Sequence, residues 1–93
     1  MSFTKDSATD QAKKDLAKRI KVDESQISVS KVSDEDFPNM SLGSPVDGEM
    51  AAQMISSGWK IILGAGGSNY EYRADKYQLR AHGIDGRNHV IKS

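Results

Sequence analysis

The sequence contains no cysteine, only two prolines and few aromatic residues, which make up 6% of its 93 positions. Without thiols the chain has no disulfides, thiolate metal ligands or cysteine nucleophile, so its folding depends on packing and hydrogen bonds. It also has no apolar run long enough to cross a membrane. The polar start is unlike a secretion signal and predicts a cytoplasmic location, unless a signal peptide has been removed.

The sequence also has no excess of charge, since 13 basic residues balance 13 acidic ones. Proteins that bind nucleic acid rely on a basic surface for phosphate affinity, so this balance argues against a nucleic-acid partner. The charges are nevertheless unevenly distributed. Residues 32–57 contain no lysine or arginine, and their acidic side chains are Asp34, Glu35, Asp36, Asp47 and Glu49. We call these five residues the acidic segment, and they make the middle of the chain locally anionic.

A chain of this length predicts a single domain with one hydrophobic core. Ala12, Leu16 and Ile20 recur at every fourth position, as an amphipathic helix requires. The cap of this helix is expected at one of three polar residues, Ser7, Thr9 or Asp10. Residues 1–9 are predicted to form a flexible N-terminus.

Alternating apolar and polar residues predict strands in the rest of the domain. The alternation from Ile27 breaks phase at Val32, which indicates a first strand with a bulge or an end near Lys31. Residues 58–63 and 69–73 flank a glycine-rich turn and predict a hairpin.

A second reversal at Asp75 and Lys76 leads into further alternation over residues 77–81. The predicted fold class is therefore α+β, with one N-terminal helix packed on an antiparallel sheet of three to four strands. This domain would span residues 10–81, and the polar residues 82–93 are predicted to form a flexible C-terminal tail.

A long connection over residues 33–57 contains both prolines, and one turn of helix is predicted over residues 49–55. Connections this long are usually functional or mobile, and methionine-rich segments form adaptable contact surfaces. We therefore expect residues 37–57 to bind a protein partner. The predicted contact residues are Phe37, Pro38, Met40, Leu42, Pro45, Met50 and Met54. The alternative is that these apolar side chains fold back and cover the open face of the sheet.

Three blocks of sequence stand in a fixed order, at residues 37–45, 58–63 and 70–75. Together they resemble a small bacterial domain family that has no assigned function. Its members have an aromatic-Pro-Asp-x-Ser-Leu-Gly-Cys-Pro loop, then Gly-Tyr-Arg-Ile-x-Leu, then Tyr-Glu-Tyr-Arg-Thr-Asp. The resemblance implies a shared fold and no activity. Ser44 replaces the cysteine of the family loop and Phe37 replaces its usual tryptophan, so any role of that thiol is absent.

No catalytic, metal or nucleotide motif has the spacing that its chemistry requires. The glycine run at residues 64–67 precedes a strand and not a helix, so it indicates a hairpin turn and not a phosphate loop. His82 and His89 have no further ligand at a fixed spacing, so no metal or cofactor is expected. An alternative function is a small enzyme or enzyme subunit that uses carboxylates of the acidic segment with His82 or His89.

Overall fold

The computed structural model describes residues 2–92. One helix packs on a five-stranded antiparallel sheet whose strands follow one another in chain order. The elements are α1 (Lys5–Ile20), β1 (Ser28–Phe37), β2 (Ser56–Ala65), β3 (Ser68–Ala74), β4 (Leu79–Ile84) and β5 (Arg87–Lys92). The predicted α+β class is confirmed, and the predicted strand number of three to four is corrected to five.

The helix begins earlier than the apolar pattern predicts, because Thr4 caps it. The Thr4 hydroxyl accepts a hydrogen bond from the Ser7 amide at 3.1 Å, and the Ser7 hydroxyl accepts one from the Thr4 amide at 2.8 Å. Such a capping box satisfies two amides that a helix otherwise leaves without partners. Residues 5–9, predicted to be flexible, therefore belong to the helix.

We expect Thr4→Ala to lower the free energy of unfolding by about 1 kcal/mol, because the substitution removes the side-chain cap. Thr9→Ala is the matched control, since the Thr9 hydroxyl only donates to the Lys5 carbonyl within the helix, at 2.8 Å. Urea denaturation of both variants measures the difference. Equal losses would contradict a capping role for Thr4.

The core lies between α1 and the face of the sheet that we call the helix face. Its largest fully buried side chains include Leu16 of the helix and Ile61, Leu63 and Tyr72 of the sheet. The Tyr72 hydroxyl donates to the Asp15 carboxylate at 2.7 Å, which ties the helix to β3. Burial, followed by this carboxylate, raises the pKa of Tyr72 well above its ordinary value, so the phenol is neutral.

The first strand carries the predicted irregularity and then continues beyond the predicted end. The register between β1 and β2 shifts between Val29 and Lys31, which is the bulge that the broken alternation indicated. The predicted hairpin is also confirmed, with its turn at Gly66 and Gly67. Both glycines have positive φ, at 57° and 81°, as a tight two-residue hairpin turn requires.

The C-terminal residues differ most from the prediction. β4 continues to Ile84, and β5 pairs with it where a flexible tail was predicted. The alternation is hidden in the sequence because the register shifts twice along this pair of strands. Ile84 and Ile91 nevertheless pack against the core and hold the hairpin to the domain. The helical turn predicted over residues 49–55 is not formed, since this stretch lies in irregular chain.

Candidate functional site

The connection between β1 and β2 lies on the outer face of the sheet, opposite α1. Residues 38–55 form this connection, and we call it the long loop. Side chains from the strands and turns of the C-terminal half donate hydrogen bonds to its carbonyl oxygens. These bonds are Arg73 to Leu42 at 2.9 Å, Gln78 to Met40 at 2.6 Å, Arg80 to Ser44 at 3.1 Å and Asn88 to Pro45 at 2.9 Å. The first half of the loop is therefore a fixed part of the fold.

The strongest attachment of the loop is the ion pair between Arg80 and Glu49. Arg80 is 4% exposed, and its guanidinium binds both carboxylate oxygens of Glu49, one of them at 2.6 Å. Its Nε donates to the Gln78 side chain at 2.7 Å, so all three guanidinium nitrogens form hydrogen bonds. The Arg80 hydrogen bond, the largest cause, lowers the pKa of Glu49 from its usual 4.5. A carboxylate of the acidic segment thus closes the loop onto β4.

Leu42 has a left-handed backbone conformation, which shows that contacts with the rest of the domain impose the conformation of the loop. Leu42 has φ of 59° although its side chain is fully buried. This backbone region costs a non-glycine residue on the order of 1–2 kcal/mol. The Asn39 side-chain oxygen supports the turn by accepting from the amides of Ser41 and Gly43, both at 3.1 Å. The contacts of the loop with the sheet therefore outweigh a local strain.

Ser44 of the long loop and His82 of β4 form a hydrogen-bonded pair. The Ser44 hydroxyl lies 2.8 Å from Nδ1 of His82, and Ser44 has no exposed surface. Burial, the largest cause, and the charge of Arg73 lower the pKa of His82 from its usual 6.5, while Glu71 opposes this. A serine beside a neutral histidine has the elements of a nucleophile and its base. Because Ser44 is fully buried, the pair instead holds the loop to β4.

We expect folding stability to fall as the pH drops below 6.5, because the unfolded chain then takes up a proton at His82 that the folded chain resists. The loss is complete once the pH is below the folded pKa. His82→Gln should remove this component of the pH dependence, whereas His89→Gln should keep it. Denaturation curves between about pH 5 and pH 8 measure the slope. An unchanged slope in His82→Gln would contradict this assignment.

Four of the five carboxylates of the alternative enzyme prediction, all except the exposed Asp47, and both histidines have other polar partners. Asp34 pairs with Lys5 at 3.0 Å, and Asp36 accepts from the Ser57 hydroxyl at 2.8 Å. His89 contacts the carbonyl oxygen of Ile84 at 3.1 Å. In residues 2–92 no group of three side chains of the metal-ligating types is positioned to hold an ion.

The seven predicted contact residues fall into two groups. Phe37 and Leu42 are buried, at 2% and 0% exposure, and Met40 is half-buried. Pro38 and Pro45 are exposed at the surface of the attached half. Met50 and Met54 project from the second half, where their exposure is 97% and 65%. Five of the predicted contact residues therefore belong to the end of β1 and the attached half of the loop, and only Met50 and Met54 belong to the projecting half.

Two further exposed apolar residues lie at the same end of the sheet: Ile55, which falls within the predicted binding segment 37–57, and Tyr77, which lies outside that segment. Ile55 follows Met54 and is 74% exposed, and Tyr77 is 71% exposed. The Ser56 hydroxyl donates to Asp75 at 2.7 Å, and the same carboxyl group accepts from the Tyr77 amide at 2.8 Å. Ile55 directly precedes Ser56, and the Tyr77 amide is itself one of the donors to Asp75. Both exposed side chains therefore lie beside these hydrogen bonds. We call Met50, Met54, Ile55 and Tyr77 the apolar tip.

The helix, the five-stranded meander and the attached loop define a small one-helix α+β domain. A family described as a domain of unknown function, DUF8738, matches residues 9–81, and the chain belongs to this family. The match confirms the resemblance to a family without an assigned function. No curated protein and no solved structure matches the chain significantly. Across residues 2–92, α1 is neither long nor apolar enough to span a membrane.

Proposed function

We propose that this domain is a non-catalytic binding module that recognises a protein partner through the apolar tip. The observation that supports this most directly is the exposure of Met50, Met54 and Ile55 in one short segment. Clustered apolar exposure is uncommon on soluble domains unless the surface serves an interaction. Methionine is suited to such a surface because its flexible thioether adapts to different partner shapes.

The attached half of the loop supports the proposal by reducing the cost of binding. Ordering a free loop on a partner costs conformational entropy, and this cost is smaller when the base of the loop is already fixed. Arg80 fixes two positions of the long loop, because it binds the Ser44 carbonyl and the Glu49 carboxylate. The projecting residues 50–55 therefore lie between two fixed points, Glu49 and the start of β2 at Ser56.

The charge around the apolar tip indicates the chemistry of the partner. The long loop contains no lysine or arginine, and Asp47 is exposed on it. Complementary charge at the rim of an interface speeds association and excludes wrong partners. On the loop side of the apolar tip, the partner surface that fits is an apolar patch bordered by basic side chains, whereas the exposed Lys76 beside Tyr77 fits an acidic side chain.

The test begins with a photo-crosslinking residue placed at position 54, which should capture the partner by direct contact. The same residue at position 29 is the control, because Val29 is 45% exposed on β1, away from the long loop. We then expect Met54→Glu with Ile55→Glu to weaken binding of the purified partner by at least about tenfold. Folding stability should change by less than about 0.5 kcal/mol, since both positions are exposed.

Val29→Glu is the matched substitution, and it should leave partner affinity unchanged. Calorimetry or fluorescence anisotropy with the purified partner measures all three affinities. Crosslinks from position 29 and none from position 54 would contradict the proposal. So would an affinity that the double substitution leaves intact.

A further inference from the structure

The oxidisable sulfur atoms of the described chain are concentrated in the long loop. The sequence has no cysteine and four methionines, and the three methionines within residues 2–92 are Met40, Met50 and Met54. All three belong to the long loop. Methionine is oxidised reversibly to its sulfoxide, which changes a flexible apolar side chain into a polar one. Within residues 2–92, oxidation at sulfur is therefore confined to the long loop.

The fold gives these three methionines different access to solvent. Met40 is half-buried, and its backbone is held by the Gln78 side chain at 2.6 Å and by the Ala52 carbonyl at 2.9 Å. Met50 and Met54 are 97% and 65% exposed. An oxidant must reach the sulfur atom, so susceptibility follows exposure. Met50 and Met54 are therefore the sites that an oxidant in solution reaches first.

Met50 and Met54 lie on either side of an attached residue. The Ala52 carbonyl between them accepts a backbone hydrogen bond at 2.9 Å. Before them, the Glu49 carboxylate binds the Arg80 guanidinium at 2.6 Å. Both thioethers thus project from a segment whose backbone is attached to the domain. Oxidation at these positions changes the side chains and leaves the backbone contacts in place.

The reaction with a peroxide is an oxygen transfer to sulfur. The thioether sulfur attacks one oxygen of hydrogen peroxide, and the S–O bond forms as the O–O bond breaks. The proton on the transferred oxygen passes to the departing hydroxide, which leaves as water. Sulfur loses two electrons and the peroxide gains them. At an exposed position water solvates the new oxygen, so the product is compatible with the folded domain.

The same oxygen atom is unfavourable in an apolar interface. Met50 and Met54 supply two of the four side chains of the apolar tip. A partner that covers them must remove water from both sulfoxide oxygens, and an apolar partner surface offers no hydrogen bond in return. Oxidation therefore opposes binding at the apolar tip without opposing folding.

We propose that Met50 and Met54 form a reversible oxidation site, at which peroxide switches off partner binding by the apolar tip. Sulfoxide reductases, of which one class acts on each sulfoxide epimer, restore the thioethers and the binding. The switch rests on the function proposed for the apolar tip. The selective oxidation of the two residues does not.

The first measurement is the rate of oxidation at each methionine. The full chain is treated with hydrogen peroxide and quenched with excess free methionine at intervals, and peptide mass spectrometry measures the sulfoxide at each site. We expect Met50 and Met54 each to react at least about threefold faster than Met40. In concentrated urea the three rates should become similar, because the difference depends on the fold. The temperature of thermal unfolding should stay unchanged once Met50 and Met54 are oxidised.

The second measurement is the affinity for the partner captured through position 54. Calorimetry with the purified partner, added after the peroxide has been removed, compares the untreated and the oxidised chain. The oxidised chain should bind at least about tenfold more weakly. Treatment with both classes of sulfoxide reductase should restore the affinity to within about twofold.

Two variants identify the sulfur atoms that are responsible. Met50→Leu combined with Met54→Leu removes both sites and keeps apolar side chains, so its affinity, whatever its value, should be the same before and after peroxide. Met40→Leu is the matched control, because it keeps both exposed sites. Its affinity should still fall on oxidation.

Similar oxidation rates at the three methionines of the folded chain would overturn the inference. So would an affinity that oxidation leaves unchanged, or a double leucine variant that is as sensitive to peroxide as the native chain. None of these results would contradict partner binding by the apolar tip. A chain that crosslinks no partner from position 54 would instead overturn the proposed function, and the switch with it.

Discussion

Gly58→Ala is expected to lower the free energy of unfolding by about 3 kcal/mol, because the added methyl group would overlap neighbouring backbone atoms. A Cβ atom at Gly58 would lie 2.0 Å from the Ala74 carbonyl oxygen and 3.0 Å from the Asp75 Cα atom. Both contacts are to backbone, which cannot rotate away as a side chain can. The end of β3 would have to separate from β2, and the junction beneath the apolar tip would move with it.

Gly64→Ala is the matched control for this substitution, because Gly64 lies on the same strand. Its added Cβ would be 3.2 Å from the Ser28 and Ser30 hydroxyls, which can turn aside. We expect a loss below about 1 kcal/mol. Urea denaturation of both variants measures the difference, and similar losses at the two positions would show that close backbone approach is not what requires Gly58.

Arg80→Met is expected to cost about 2–3 kcal/mol and to release the long loop. Methionine fills much of the buried volume but leaves the Ser44 carbonyl and the Glu49 carboxylate without the guanidinium. Amide hydrogen exchange across residues 40–50 should become faster, and urea denaturation gives the stability loss. The control is Arg87→Met, since Arg87 is exposed and belongs to no ion pair in residues 2–92.

The same variant should change the acid sensitivity of the domain. Because Arg80 lowers the pKa of Glu49, the folded chain resists protonation there, and this contributes stability above pH 4.5 that is lost as the pH falls through the folded pKa. In Arg80→Met the pKa of Glu49 should return toward its usual value and the contribution should disappear. NMR titration of the Glu49 carboxyl group measures the change. A pKa that stays low in Arg80→Met would show that Arg80 is not its cause.

The sequence predicted the helix and the first hairpin, because their formation depends on residues that are close together in the chain. The spacing of Ala12, Leu16 and Ile20 identified the helix, and the glycines at 66 and 67 identified the hairpin turn. β5 was missed because it is short and polar, and because the two register shifts interrupt its alternation. The two core contacts of this hairpin, Ile84 at the end of β4 and Ile91 on β5, are too far apart to show a period.

The long loop was recognised from its length and prolines, but its division into two halves could not be read from the sequence. Burial of Leu42 and exposure of Met50 depend on Arg73 and Arg80, which lie on strands far along the chain. Arg80 follows a strand pattern and gives no local sign that its guanidinium is buried. The pairing of Ser44 with His82 likewise joins residues that only the completed sheet brings together.

The chain-order arrangement of the strands has a consequence for folding. The hairpins formed by β2–β3 and β4–β5 close over two-residue turns, whereas β1 reaches β2 only across residues 38–55. Closing a short turn costs less chain entropy than closing a long one, so local pairings form early. The sheet from β2 to β5 should therefore assemble first, with β1 added afterwards. During that interval β2 is itself an unprotected edge, and the rate at which the long loop closes determines how long a nascent chain is exposed to misassembly.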